Sequence, residues 1–499
     1  MKKVLLIVYC LLYCNLLSAN HINVTNVSLE NLNESEGWAH VQCDIFWENS
    51  WRVNAGPSNW DAAWVFIKYR VNSGPWLHAS INATETTINS AFTIDISDDN
   101  LGAFIYRSDV YSGDNNIDNI NLQWEYATHK ISDDFNSSFI STTYIIEVKV
   151  FTIEMVYVPE GAFYVGNDSG TETDNLKKGS TSSLNERPYL IDSEDEISIG
   201  TTPSQLYYTN ESTYAGDQLG PIPAEFPKGF NAFYCMKYEI SEQQFVEYFN
   251  MIPAWLKENT DYDLTLYKGS DDVVNRNTVS WLGTGTEATT AAPDRACSFM
   301  RDNGLVKYLN WTALRPMTEL EFEKAARGPG YPVAEVYAWG TTSINTTPHL
   351  LCASDFPQEY VCSLTSNIGN ASYNTTDGDN NGPLRCGIFA YPFPTGVLKT
   401  REDSGSSYYG IMELSGNLKE RVVSIGYDSG RAYNGVHGIG RSNTFPTTFN
   451  NSLRNGIRGG SWNDDATALR IADRTYGGGE SSLNLGQNDV GGRGVRTAN

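Results

Sequence analysis

The sequence is short of positive charge. Only 19% of its 499 residues are charged, and 35 Lys and Arg stand against 59 Asp and Glu, a formal net charge of -24. Nucleic-acid binding draws its affinity from Lys and Arg on the phosphate backbone, so this balance argues against such a partner. The same carboxylate excess suits calcium and a solvated extracellular surface. Histidine is scarce: the 6 present (His21, His40, His78, His129, His349 and His437) include no pair four apart and no His-Glu-x-x-His. Among the 8 cysteines there is no Cys-x-x-Cys, which argues against a zinc ribbon or a thioredoxin-type site. No phosphate-cradling GxxxxGK[ST] and no GxSxG nucleophile elbow occurs. After the first residues no apolar run has the length of a membrane helix. Aromatic residues are plentiful, with 12 Trp, 29 Tyr and 20 Phe, which excludes a disordered chain.

The start reads as a secretory signal over residues 1–19. Lys2 and Lys3 supply the positive end, Val4 to Leu17 the apolar stretch, and Leu17-Ser18-Ala19 a small-residue cleavage site. Secretion or cell-surface display is the expectation. Cleavage would remove Cys10 and Cys14 and leave Cys43, Cys235, Cys297, Cys352, Cys362 and Cys386 in an oxidising compartment. Cys352 and Cys362 are the expected local disulfide.

Residues 20–150 read as all-β. Strand-length runs such as Val41 to Trp47, Ala63 to Val71, Ala91 to Ile96, Leu122 to Ala127 and Tyr144 to Glu154 recur between Asn, Asp, Ser and Gly. In the second, Trp64, Phe66 and Lys68 share one face, and Val65, Ile67 and Tyr69 the other. An antiparallel β-sandwich is the simplest fold that buries them. Residues 167–225 are polar and aperiodic, the pattern of a long insertion loop. Two helices are marked by capping boxes, Ser241 with Gln244 and Thr318 with Glu321, and a third is expected from Asp302 to Trp311. Gly328 stands where a left-handed residue would stop the second.

Asp377-Gly378-Asp379-Asn380-Asn381-Gly382 starts like an EF-hand loop. It has Ile388 where the bidentate Glu belongs and Pro383 after the glycine, so an EF-hand is rejected and only a looser calcium site is left.

Segments in the last 350 or so residues, taken together and in order, resemble the formylglycine-generating enzyme, or sulfatase-modifying factor, family. They are Met155 to Gly166 (MVYVPEGAFYVG), Phe233 to Ser241 (FYCMKYEIS), Arg315 to Gly328 (RPMTELEFEKAARG), Gly410 to Glu420 (GIMELSGNLKE), Arg458 to Trp462 (RGGSW) and Gly494 to Arg496 (GVR). The resemblance implies an α+β, C-type-lectin-like domain over residues 151–499 with much irregular loop, preceded by the sandwich. It also implies calcium bound by Glu413, Glu420 and the carbonyls of Gly416 and Leu418, with a second site from Asn367, the Ile368 carbonyl and Asp377 or Asp379.

Departures from the family pattern matter equally. Its oxidases hold copper with a cysteine pair after the Gly-Gly-Ser-aromatic motif, where this chain has Asp464 and Leu469, and no cysteine follows Cys386. Copper is therefore not expected; Ser461, Trp462, Asp464 and Arg474 are left as candidate pocket residues. The leading expectation is a secreted or surface protein that uses the domain to bind a glycan or protein, or to self-assemble. The competing one is an oxidase with another copper site, or a different reaction in the family pocket.

Overall fold

The computed structural model describes residues 22–33, 35–126, 145–168, 173–179, 187–212, 214–259, 263–354, 359–375, 381–390, 400–442, 455–478 and 486–499. The expected leader lies outside them. Among the described residues no helix is long and apolar enough to cross a membrane.

Two sheets face each other in the first part of the chain. One has the order β1-β2-β8-β5, built from β1 (Ile22–Asn33), β2 (Trp38–Arg52), β5 (Ile81–Thr87) and β8 (Tyr111–Glu125). The other contains β3 (Asp61–Val71), β4 (Leu77–His78), β6 (Phe92–Ile96), β7 (Ala103–Arg107) and β9 (Ile146–Val158). In β2 burial alternates strictly, with Ala39, Val41, Cys43, Ile45 and Trp47 inward, as a half-buried strand requires. β3 lacks that alternation in burial because both its faces are covered. Ala63, Val65 and Ile67 enter the sandwich core. Ala62, Trp64 and Phe66 pack instead with Tyr248, Tyr308 and Trp311 of the following domain.

Lys68 shares the second face and is buried. Its Nζ donates to the carbonyls of Trp311 (2.6 Å) and Gly440 (2.7 Å) and lies 2.8 Å from His78 Nδ1. Burial holds its pKa well below the usual lysine value.

The expected boundary at residue 150 falls inside a strand. β9 pairs with β3 from Asp61↔Val156 to Val71↔Ile146, and on its other edge with β14 (Phe233–Met236). The sheet therefore runs unbroken from the sandwich into the second domain: beyond β14 lie β21 (Gly494–Thr497) and β15 (Arg315–Pro316), giving the order β15-β21-β14-β9-β3-β7-β6. The junction is also ionic: Lys237 Nζ lies 2.9 Å from Glu154 and 3.5 Å from Asp61.

The polar stretch expected as a loop has a core of its own. β10 (Phe163–Val165) pairs with β12 (Tyr189–Ile191), and β11 (Lys177–Lys178) with β13 (Leu206–Tyr207). Leu176, Ile191, Leu206, Tyr208 and Ile222 are buried against Leu320 and Val423. These apolar residues are too irregularly spaced to show a period in sequence.

Helices α1 (Glu242–Met251), α2 (Ala254–Lys257), α3 (Leu264–Lys268), α4 (Asp302–Trp311) and α5 (Glu319–Arg327) follow, with β15 (Arg315–Pro316) before α5. Both capping boxes are formed, at Ser241 and Thr318. Gly328 does end α5 at positive φ, but its ψ of -164° is not left-handed helical, and a Cβ there would lie 2.4 Å from the Tyr408 ring. Beyond α5 come β16 (Leu351–Cys352) and β17 (Tyr360–Val361), a hairpin carrying the Cys352–Cys362 disulfide, then β18 (Lys419–Val423), β19 (Asn455–Arg458), β20 (Val490–Gly491) and β21 (Gly494–Thr497).

α5 is fixed by buried ion pairs. Arg458 reaches Glu319 (3.0 Å) and Glu323 (2.6 Å), Arg474 reaches Glu319 (2.6 Å), and Arg327 reaches Glu323 (2.9 Å). Arg458, Arg474 and both glutamate side chains are 0% exposed. Arg458→Ala leaves two buried carboxylates short of their cation and is expected to lower the unfolding free energy by about 3–5 kcal/mol in urea. Arg70→Ala, at the part-exposed pair with Glu147, should cost no more than about 1 kcal/mol in the same assay.

A second expectation concerns acid. His349 is buried against Phe389, and burial lowers its pKa from 6.5 to about 4. The unfolded histidine takes up a proton near pH 6.5 and the folded one does not until about pH 4. Stability present above pH 6.5 is thus lost as pH falls towards 4. Replacing His349 with Phe should remove on the order of 2 kcal/mol of that loss from urea midpoints measured across this range.

Candidate functional site

The turn from Glu413 to Glu420 leads into β18, which pairs antiparallel with β19 and parallel with β20. Its backbone is unusual: Glu413 (φ 54°), Gly416 (φ 96°) and Asn417 (φ 65°) all lie at positive φ. For a residue other than glycine that conformation persists only where its surroundings impose it. At Gly416 a Cβ would stand 2.6 Å from the Ser372 carbonyl, so the close approach itself demands glycine.

The surroundings are Glu239, Ser372 and the 384–387 loop. Glu239, two residues before the cap of α1, accepts Leu418 N at 2.8 Å on one oxygen and Asn417 Nδ2 on the other. Asn417 N donates to the Ser372 carbonyl (2.9 Å), and Leu384 N donates to Asn417 Oδ1 (2.8 Å). Gly387 N donates to Glu413 Oε1 (2.7 Å). Arg493 donates to Glu420 Oε1 (2.7 Å) and to the carbonyls of Met236 (3.1 Å) and Met412 (2.8 Å).

Each of the two carboxylates has one oxygen left over. Glu413 Oε2 and Glu420 Oε2 are buried with no hydrogen-bond partner. Burial pushes the Glu413 carboxyl up to about 7 against the pull of Arg493, and raises Glu420 as well. Glu239 is held well above the carboxylate range by burial and then by its neighbours Glu420 and Glu413. A hard cation would satisfy both orphaned oxygens and relieve that repulsion. Among the described residues no three His, Cys, Asp or Glu side chains form a closed ligand set. A cation here would therefore complete its shell from backbone carbonyls such as those of Gly416 and Leu418.

The other expected residues are placed as follows. Asn367 is exposed and its N–H donates to Asp403 (2.6 Å), while the Ile368 carbonyl accepts from Asn370 Nδ2 (3.1 Å). Asp377 and Asp379 lie outside the described residues. Ser461, Trp462 and Arg474 expose 0%, 2% and 0%, so these side chains do not line an open cleft together. Arg474 was an expected pocket residue; its guanidinium is instead paired with Glu319 in the core. Asp464 accepts from Ser461 Oγ (2.6 Å) and lies 3.2 Å from Lys419 Nζ, which also meets Asp489 at 2.7 Å. Leu469 is 0% exposed. Cys43, Cys235, Cys297 and Cys386 are outside any disulfide among the described residues, and all are buried.

Glu239, Arg493 and the Lys419–Asp489 pair were not singled out from sequence. Glu239 lies inside the FYCMKYEIS stretch and Arg493 directly precedes GVR, so both were within reach of the motifs.

The sulfatase-modifying factor enzyme 1-like domain matches residues 147–498, from the start of β9 to the last strand. No curated protein matches the chain. The matched span covers well over half of the sequence and takes in the turn, Glu239, Arg493 and the α5 ion pairs. The chain belongs to the sulfatase-modifying factor enzyme 1-like family.

Proposed function

We propose that this is a secreted or cell-surface member of the family that has given up cysteine oxidation and uses a calcium-stabilised domain for binding or surface structure. The observation that carries the reading is the state of Asp464 and Leu469. Copper(I) needs soft thiolates, and hard carboxylates discriminate poorly for it. Asp464 is ion-paired with Lys419, and Leu469 is packed in the interior. The cysteines outside the disulfide are buried, and burial drives the thiols of Cys43 and Cys235 up to about 12, far from the thiolate form that binds metal. The partner in this reading is a glycan or protein at the cell surface, or another copy of the chain; the charge balance opposes nucleic acid.

Calcium is the proposed cofactor, held by Glu413, Glu420 and the carbonyls of Gly416 and Leu418. The support is the pair of buried, unpartnered carboxylate oxygens. The ion would supply structural charge neutralisation there.

Two measurements test the reading. Copper-loaded protein incubated with a sulfatase-type cysteine peptide under oxygen should yield no more aldehyde, by mass spectrometry, than a copper-only control; faster conversion refutes the loss of oxidation. Chelator should lower the melting temperature of the purified protein by on the order of 5 °C, and calcium should restore it. In Glu413→Gln, which keeps an acceptor for Gly387 N, the chelator effect should disappear. A wild-type protein indifferent to chelator and calcium would remove the cation from the reading.

A further inference from the structure

We infer that Glu239 is the positioning residue of the cation turn: it fixes the peptide between Asn417 and Leu418 and the conformation of Asn417, and so holds the stretch of backbone that carries the Gly416 and Leu418 carbonyls. The inference rests on the proposal that the turn binds calcium, and it adds the residue that makes the turn competent.

The geometry is specific. Both oxygens of Glu239 are engaged by the turn's own donors, one by Leu418 N and the other by Asn417 Nδ2. Those two donors flank one peptide unit. Fixing the Leu418 N–H fixes the plane of the peptide that begins at Asn417, and fixing the Asn417 side chain holds a residue at φ 65° that would otherwise relax towards negative φ. Gly416 and Leu418, whose carbonyls are the proposed backbone ligands, stand on either side of Asn417. A carboxylate can accept from both donors at once. Glutamine cannot, because one of its two groups is an NH₂ that meets the Asn417 or Leu418 donor head-on. The clamp is dry, with Glu239 1% exposed, Asn417 2% and Leu418 1%, so water does not replace a lost arm.

The sequence separation explains why this carboxylate is dedicated to the turn. Glu239 reaches residues 178 and 179 positions away, from a backbone already locked by the capping box at Ser241 and by the pairing of β14 with β9 and β21. A rigid strand-to-helix corner thus sets the shape of a turn that has no regular structure of its own. Partners that orient metal ligands commonly contribute about 10–100-fold to metal affinity, and that is the size of effect expected here.

The experiment is calcium titration of the full-length protein by calorimetry, below the melting temperature of every variant. Wild type is compared with Glu239→Gln, Asn417→Ala, the double variant and Asp174→Asn. The last removes a buried carboxylate that serves Glu211 N, Ser212 N and Thr209 Oγ1 in the 167–225 stretch, and it controls for destabilisation. Glu239→Gln should raise the calcium Kd by about 10–100-fold. Asn417→Ala should raise it by less, the double variant no more than Glu239→Gln alone, and Asp174→Asn should leave it unchanged. Calcium binding to wild type and to Glu239→Gln with the same Kd overturns the positioning role while leaving the calcium reading standing. Should Glu239→Gln fail to fold, a wild-type Kd in Asn417→Ala overturns it equally. Absence of calcium binding to wild type overturns the calcium reading and this inference with it.

Discussion

The second domain is organised around the carboxylates of one nine-residue helix, α5. Glu319 and Glu323 are four apart and share a helix face; Glu321 lies on a different one. The first face meets Arg458 and Arg474, and Arg327 from the helix itself. Glu321 meets Arg315 through two bonds (2.9 and 2.6 Å) and at the same time closes the capping box at Thr318 (2.9 Å). The carboxylates also hold backbone: Glu319 accepts Ile425 N (2.8 Å) just after β18, and Glu323 accepts Gly166 N (2.6 Å) at the end of β10. One helix thereby fixes β15, β18, β19 and the entry to the 167–225 stretch. Buried charges of this kind do little for net stability compared with apolar replacements, yet each is costly to leave unpaired. Their value lies in register, because a slip of any attached strand would strand a charge.

β9 carries the same logic between the two parts of the chain. It pairs on one edge with β3 of the sandwich and on the other with β14 of the second domain, and the Lys237 contact with Asp61 and Glu154 crosses the same seam. The two-sided burial of β3 follows from it. Trp64 illustrates the coupling: its ring is 0% exposed, and its Nε1 donates to the Thr312 carbonyl at the end of α4 (2.9 Å). The sandwich is therefore packed onto the helices of the second domain, and its sheet is completed by that domain's strands.

Local signals were legible in the sequence and distant ones were not. The capping boxes at Ser241 and Thr318 involve residues three apart, so short-range chemistry exposes them, and the alternation in β2 is equally local. The disulfide of Cys352 and Cys362 spans only ten positions. The core of the 167–225 stretch, by contrast, is assembled from Leu176, Ile191, Leu206 and Ile222, whose spacing matches neither the helical nor the strand period. Arg474 followed the Gly-Gly-Ser-aromatic motif and was read as part of a pocket, but its partner Glu319 lies 155 positions away. Glu239 escaped notice for the same reason. It sits inside the FYCMKYEIS motif, but its role as an acceptor is set by partners 178 and 179 positions down the chain.

Strand β18 brings the two halves of the functional reading together. Successive residues of a strand point to opposite faces, so Lys419 and Glu420 leave the same backbone in opposite directions. Glu420 turns to Arg493 and the 413–420 turn; Lys419 turns to Asp464 and Asp489 beside the Gly-Gly-Ser-aromatic motif. Asp464 forms a charge-assisted contact with Lys419 that ties the motif to β18. Lys419 also retains Asp489, one residue before β20, so the strand is braced by the same cation on two sides. Glu420 and Lys419 thereby tie the turn and the Gly-Gly-Ser-aromatic motif to opposite faces of one strand.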